Sequence, residues 1–417
     1  MKVSITKHLN FEFFKMGSPL RPLGFLFKVA NSLGGFPFKV LNNDCTLFKL
    51  DNHAVTRLLL FLASVSAFSV GILAYNLYVL GGFIKYVDQN RKHGLSYMDT
   101  VAIGLIIFPH VIGTFAFIRS FFESEFQINA SIFCDKISNL RGLPKIRQDQ
   151  YAVIFKRTTY QSFMFLFLVT LSSTLQFISI FQVMSAANLS SLGVWSQIVY
   201  IPFTVHLCFP LIEMLAISVT FQSLGTLEVV LQDFKNNLHR LHNETELRPL
   251  NPQLNLIEPA FDVVEVAEFI DEFMGPFILI EYALSFVVEV IGAFFGVLVT
   301  TAFTSEGINF VILTSCTGSS ILGLAAFWKM WLLASKGQKL CSLFEDILTH
   351  FNKIYSQHYK SFNAKDKCDM GILLDRYSVT APIRPLEVFH MNRSSLLAAN
   401  SLIFTYIFVL MQFRIGS

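Results

Sequence analysis

Near the end of the chain Ser394, Ser401, Thr405 and Gln412 recur at intervals of seven, four and seven residues. On an α-helix that spacing puts all four on nearly one face, residues seven apart being separated by two turns, or about 10 Å. Tyr406 and Phe413 form a second pair at the same interval, and everything between Tyr406 and Gln412 is apolar. Hydroxyls and an amide on so greasy a helix lose water unless they face protein or an aqueous path. Two chemistries fit the stripe: hydrogen bonds that glue one helix to another, or the polar lining of a water-filled conduit.

A second set of polar groups lies in other apolar runs. Glu289 falls mid-way along "SFVVEVIGAFFG", and His110 interrupts "FPHVIG". Ionisable groups at such depth are costly and therefore candidates for function, as a ligand contact or as one half of a buried pair. Glu213 and Glu281 lie nearer an expected membrane boundary, where an interfacial position explains Glu281. Gln176, Gln182, Trp195, Gln197, Tyr200, Asn309, Thr314 and Ser315 cluster towards one end of their segments. Aromatic walls with a few convergent amides and hydroxyls suit a small-molecule pocket, although Trp195 and Tyr200 equally suit an interfacial belt.

No enzyme constellation competes. The chain has no phosphate-binding Gly-Lys loop, no His-Glu-x-x-His and no Gly-x-Ser-x-Gly. His239 and His242 lack companions at metal-ligand spacing, so no metal and no cofactor are expected. The tripeptide Asp375-Arg376-Tyr377 matches a receptor motif, but it falls in a polar stretch rather than at the end of a third span.

The elements that would carry these residues follow from composition. Of 417 residues 53% are hydrophobic, 45 are phenylalanine and 15% are charged, a balance that belongs to membrane proteins. Seven windows of roughly 20 apolar residues fall at 58–81, 99–121, 158–184, 195–224, 274–303, 307–335 and 395–415. The fold class expected is an all-α membrane protein of seven transmembrane helices. Segments 1–57, 119–157, 225–273 and the stretch from Lys329 to the last window carry 28 Lys and Arg, against four in the alternate flanks. The positive-inside rule then places the amino terminus in the cytoplasm and the carboxyl terminus outside. The sequon at Asn188 would be external and open to glycosylation, whereas that at Asn243 would be internal. No cysteine falls in an expected external loop, so no external disulfides are expected. Nor is a cleaved signal peptide.

Between the spans, the domain reading is a cytoplasmic segment 1–57, membrane helices over 58–224, cytoplasmic anchor helices and loop over 225–273, two more spans over 274–335, a further anchor loop over 336–394, and helix seven with a short external tail over 395–417. Leu227, Val230, Leu231, Phe234, Leu238 and Leu241 form one helical stripe, and Leu340, Leu343, Phe344, Ile347, Leu348, Phe351 and Ile354 another. Apolar stripes outside the membrane need partners, which points to a helical bundle beneath it. Between residues 225 and 273, ten Asp and Glu face three Lys and Arg; they read as a solvated face, or as an acidic rim that concentrates cations.

Thr405-Tyr406, five apolar residues, then Gln412-Phe413 resembles the seventh-span signature of insect gustatory receptors. The resemblance implies a homotetramer, or a heteromer with related receptors, forming a ligand-gated cation channel in the plasma membrane with its seventh helices around a central pore. By motif, Phe413 and Gln412 map onto the external gate and the amide beneath it, with Thr405 and Tyr406 nearer the cytoplasm; Ser401 extends the same face. A small-molecule tastant would bind in the outer half of helices two to six, where Glu289, Gln182, Trp195, Gln197, Tyr200, His110, Asn309 and Thr314 lie. Partners on this reading are the tastant, permeant cations and the lipid bilayer, with no nucleic acid. Many sugar receptors of the family have Glu directly after Thr-Tyr, whereas Ile407 stands here. An odorant-receptor-like subunit or an internal nutrient sensor is the alternative, with a metabotropic receptor or a transporter behind them. A transporter would show broken helices in paired halves, for which Gly292/Gly296 and Gly318/Gly323 are the candidate breaks.

Overall fold

The computed structural model describes residues 18–32, 35–60, 107–140, 148–186, 193–245, 257–299, 303–304, 307–308, 310–360, 362–380, 384–385 and 388–415. The described elements are almost all helical: α1 (Gly24–Ser32), α2 (Ile107–Glu123), α3 (Phe126–Ser138), α4 (Gln148–Ala186), α5 (Gly193–Thr245), α6 (Ile257–Leu298), α7 (Phe310–His358), α8 (Ala364–Thr380) and α9 (Arg393–Ile415). Residues 52–60 are also helical. A short 3-10 helix (Arg21–Leu23) and two short antiparallel hairpins complete the described set, β1 (Phe38–Val40) with β2 (Phe48–Leu50), and β3 (Phe303–Thr304) with β4 (Gly307–Ile308).

Three helical stretches among the described residues are long and apolar enough to cross a membrane: Ile212–Arg240, Ile257–Leu298 and Ile312–Gln357. Residues 61–81 of the first expected window, 99–106 of the second and the sequon at Asn188 lie outside the described residues, and the side chain of Asn243 is outside what is described. The window at 274–303 overshoots its helix: α6 ends at Leu298, and the β3–β4 hairpin turns the chain before α7 begins at Phe310.

Length separates the bundle into two parts. At 1.5 Å per residue the 53 residues of α5 and the 49 of α7 each span more than about 70 Å, over twice the ~30 Å of a bilayer's hydrocarbon. Both helices therefore project well beyond any membrane they cross. Their projecting ends pack on the first part of α6 and on α8 through Leu227, Leu231, Phe234, Ala260, Val264, Leu340, Phe344, Ile347 and Phe351, all buried. The stripes legible in the sequence thus find each other. Pro259 sits in the first turn of α6, where a missing N–H costs nothing.

α8 occupies a stretch that the sequence presents as a polar loop. Asp375-Arg376-Tyr377 belongs to this helix rather than to a loop: Tyr377 is fully buried and its hydroxyl donates to the carbonyl of Ala260 across 3.3 Å, while Arg376 pairs with Glu268. Asn363 opens the helix by accepting the N–H of Asp366 at 2.7 Å. The acidic excess of residues 225–273 is likewise partly consumed in pairing. Glu228 binds Lys336 and Lys339, Glu265 binds Lys136 at 2.6 Å, and Glu268 binds Arg376. Fewer of these carboxylates are left to form a cation-concentrating rim than the sequence suggested.

Residues 18–50 fold back onto the bundle. Phe27, Phe36, Phe38 and Phe48 close around Phe126 of α3, with ring centroids 5.0–6.3 Å apart, and Phe121 and Phe273 extend the cluster. Gln222 of α5 ties the segment down by donating to the carbonyl of Pro19 at 2.9 Å. Part of the phenylalanine content is therefore spent on packing an otherwise short N-terminal unit.

Candidate functional site

α9 is held by one side only. Asn392 caps its start by accepting the N–H of Ser395 at 2.9 Å, and Arg393 lies over the Trp331 ring. The preceding segment is pressed against α7, where a Cβ on Gly337 would overlap the carbonyl of Met391. Along the helix Leu396, Ile403 and Ile407 are buried against the bundle. Ser394, Ser401, Thr405 and Gln412 are all exposed. At about 100° per residue their line is centred roughly 160° around the helix from the buried one.

The stripe read from spacing thus faces away from its own subunit. The hydroxyl of Ser401 donates to the carbonyl of Leu397 and that of Thr405 to Ser401, each at 3.0 Å. Those two groups are satisfied by their own helix. A glutamine amide has more donors and acceptors than one helix can meet, so Gln412 is the group that most needs water or another protein surface. Tyr406 is also exposed, about 120° around the helix from the line; Phe413 lies on the last turn of α9.

The interior offers a second polar region, between α4, α6 and α7. α6 and α7 cross at Gly292 and Gly323, where a Cβ on Gly292 would stand 2.5 Å from the Cα of Gly323. Nearby, α4 meets α7 as Ser172 donates to the carbonyl of Gly318 at 2.7 Å. These glycines serve close crossings in unbroken helices, so the paired breaks of a transporter are not what they mark. On the same three helices, Ser173, Gln176, Ser285, Glu289 and Ser319 each have a buried side-chain atom without a hydrogen-bond partner. Such atoms suit a site that takes up water or a polar ligand.

Of the expected pocket residues, Glu289 belongs to this region and is half-buried. Thr314, near the start of α7, donates to the carbonyl of Phe310 at 2.8 Å. His110 is on α2, Gln182 near the end of α4, and Trp195, Gln197 and Tyr200 in the first turns of α5, so the backbone places the last four around one α4–α5 connection. Their side chains, and Asn309 entirely, lie outside what is described.

Glu281 is enclosed by protein rather than turned to solvent. It is buried beside Glu213, and both carboxylates accept from Lys329, whose Nζ stands 3.1 Å from the Oε2 of Glu281 and 4.4 Å from the Phe165 ring centroid. One ammonium therefore joins α4, α5, α6 and α7. In the sequence Lys329 stands near the end of an apolar window, as the first of a run of cations that continues to the last span. Two glutamates in the same half of neighbouring spans were the signal that a cation had to lie between them.

No family model matches the chain, and no curated protein does. Eighteen chains of solved structures match its fold. One is the insect olfactory receptor OR5 from Machilis hrabei in complex with eugenol, with a TM-score of 0.62 over 94% of this chain and 97% of that one at 14% identity. OR5 without that ligand gives a TM-score of 0.58 over the same shares at 12% identity. The fold is that of an insect olfactory receptor. The likeness extends over nearly the whole of both chains. At 14% and 12% identity the likeness is one of fold, and each residue's role is argued from its own surroundings.

Proposed function

We propose that the chain is a chemosensory receptor of the insect gustatory type, a ligand-gated cation channel in which α9 lines a pore built from several copies. The observation that carries this reading is the orientation of α9. Its motif-bearing helix is anchored through Leu396, Ile403 and Ile407 and turns Ser401, Thr405 and Gln412 outward. An amide on the outer surface of a membrane helix is tolerable where copies of that helix surround water. Four subunits around an axis, with Phe413 as the outer constriction and Gln412 beneath it, is the arrangement we favour. The amino terminus would then be cytoplasmic, the protein multi-pass in the plasma membrane, and the projecting bundle beneath it.

The ligand would be a small molecule bound within the helices, and the unpartnered atoms of Gln176, Glu289 and Ser319 support a pocket with polar as well as apolar walls. The fold match to an olfactory receptor that was solved with eugenol favours the second reading, an odorant-receptor-like subunit. The α9 motif favours taste. Expression of the chain alone, and with candidate partner receptors, under a calcium or current readout tests both. Tastant-evoked non-selective cation current supports the first reading and responses confined to volatile aromatics support the second. An amino terminus accessible from outside intact cells would overturn both.

A further inference from the structure

A cavity of about 260 Å³ opens between α4, α5 and α7, and its residues Arg157, Gly225 and Lys336 stand next to the ends of the apolar windows 158–184, 195–224 and 307–335 read from the sequence. Arg157, Lys336 and Lys339 line it, with Glu228 as its single acidic residue. Glu228 accepts from both lysines, yet the wall still carries two more positive charges than negative. Each ammonium has three protons and gives one to Glu228, so donors remain. Ser335 lines the same cavity with a buried hydroxyl that has no hydrogen-bond partner. Gln161 adds an amide.

We infer that this cavity binds a multiply charged phosphate group, and that the group is the headgroup of an anionic membrane phospholipid. A phosphate offers what the wall lacks: acceptors for a guanidinium, two ammoniums and an orphaned hydroxyl at once. Basic cavities between helices at a membrane boundary are suited to such headgroups. The lipid, rather than a soluble phosphate, is favoured by what adjoins the cavity on α4. Val153, on its rim, is 69% exposed, and Tyr160, Phe163 and Phe167 continue an exposed apolar face along the helix. That face leads away from the cavity as an acyl chain would.

Glu228 competes with the ligand for the two lysines. Loss of its charge therefore strengthens binding, an effect that a merely structural ion pair would not produce. The test is native mass spectrometry of the detergent-purified full chain, titrated with dioctanoyl phosphatidylinositol bisphosphate and, as a zwitterionic control, dioctanoyl phosphatidylcholine. Inositol trisphosphate and inorganic phosphate form the soluble arms. The bisphosphate lipid is expected to bind more tightly than the control, and Arg157→Gln and Lys339→Gln, both at exposed positions, are each expected to weaken it about fivefold. Glu228→Gln is expected to tighten it. Equal binding of phosphatidylcholine, or affinities unmoved in the two basic-residue variants, would overturn the site. If inositol trisphosphate or phosphate binds as tightly as the lipid, the anion site stands and the lipid source is overturned.

Discussion

Lys329 of α7 donates to Glu281 of α6 across 3.1 Å while also binding Glu213 of α5, and all three side chains are at least 95% buried. A buried pair is weak evidence for net stability, but breaking one from one side leaves a charge stranded, at a cost of about 3–5 kcal/mol. Lys329→Met is accordingly expected to lower the melting temperature of the detergent-solubilised protein and its yield of monodisperse material. Lys329→Met combined with Glu213→Gln and Glu281→Gln removes every charge of the cluster and is expected to recover much of that loss. A triple variant no more stable than the single one would show that the cluster is not a self-contained unit.

The crossing of α6 and α7 predicts a contrast between neighbouring glycines. A Cβ at Gly292 would stand 2.5 Å from backbone, whereas one at Gly296 meets its nearest atom, the Ser320 hydroxyl, at 3.4 Å. Gly292→Ala should force the helices apart at a cost of about 1–3 kcal/mol. Gly296→Ala should be neutral or slightly stabilising, since alanine is the better helix former. Thermal unfolding of the two variants side by side checks the pair.

Thiol chemistry separates buried from exposed cysteines. Burial pushes the thiol of Cys45 up to about 11 and that of Cys134 up to about 12, and the thiolate is the reactive form. At pH 8 their thiolate fractions are then on the order of one in a thousand or less, and both side chains are enclosed. Cys368 is exposed on α8. Iodoacetamide at pH 8 should modify Cys368 in the native protein and reach Cys45 and Cys134 only after denaturation, as read by peptide mass spectrometry. Early modification of Cys134 would mean that the N-terminal unit does not stay seated on α3.

The sequence disclosed those features that depend on one helix at a time. The apolar stripes at 227–238 and 340–354 and the polar line from Ser394 to Gln412 are periodicities, and each occupies one face in the structure. Features that depend on two helices were legible only in part. Glu213 and Glu281 stood out, but that Lys329 lies between them is a fact of packing. Gly292 and Gly323 looked like breaks because a glycine's tolerance of strain and its lack of a side chain leave the same letter in the sequence. α8 escaped because its buried residues, Met370, Leu373 and Tyr377, are few among charged neighbours, and their stripe acquires meaning when α6 and α7 are there to receive it.

The face assigned to the pore is open to direct test by single cysteine substitution along α9. Thr405 and Gln412 are exposed on the side turned away from the bundle, while Ile403 and Ile407 are buried against it. If copies of α9 surround water, a charged thiol reagent applied to Thr405→Cys or Gln412→Cys should reduce an evoked or basal current beyond its effect on the unsubstituted chain. Ile403→Cys and Ile407→Cys should resemble that background, because the reagent needs water to reach a thiol and a thiolate to attack. The four positions span fewer than three turns, so depth in the membrane alone cannot produce alternation between them. Modification in register with 403 and 407 instead would place the conduit inside each subunit, on the face of α9 that meets α6 and α7, and would overturn the multi-copy pore. Gln412→Ala adds an independent readout. It removes the amide without altering the buried face, so a change in relative ion permeability at unchanged protein yield is the outcome expected of a pore lining. Loss of assembled oligomer, followed by size-exclusion chromatography, is the outcome expected if the amide glues subunits together.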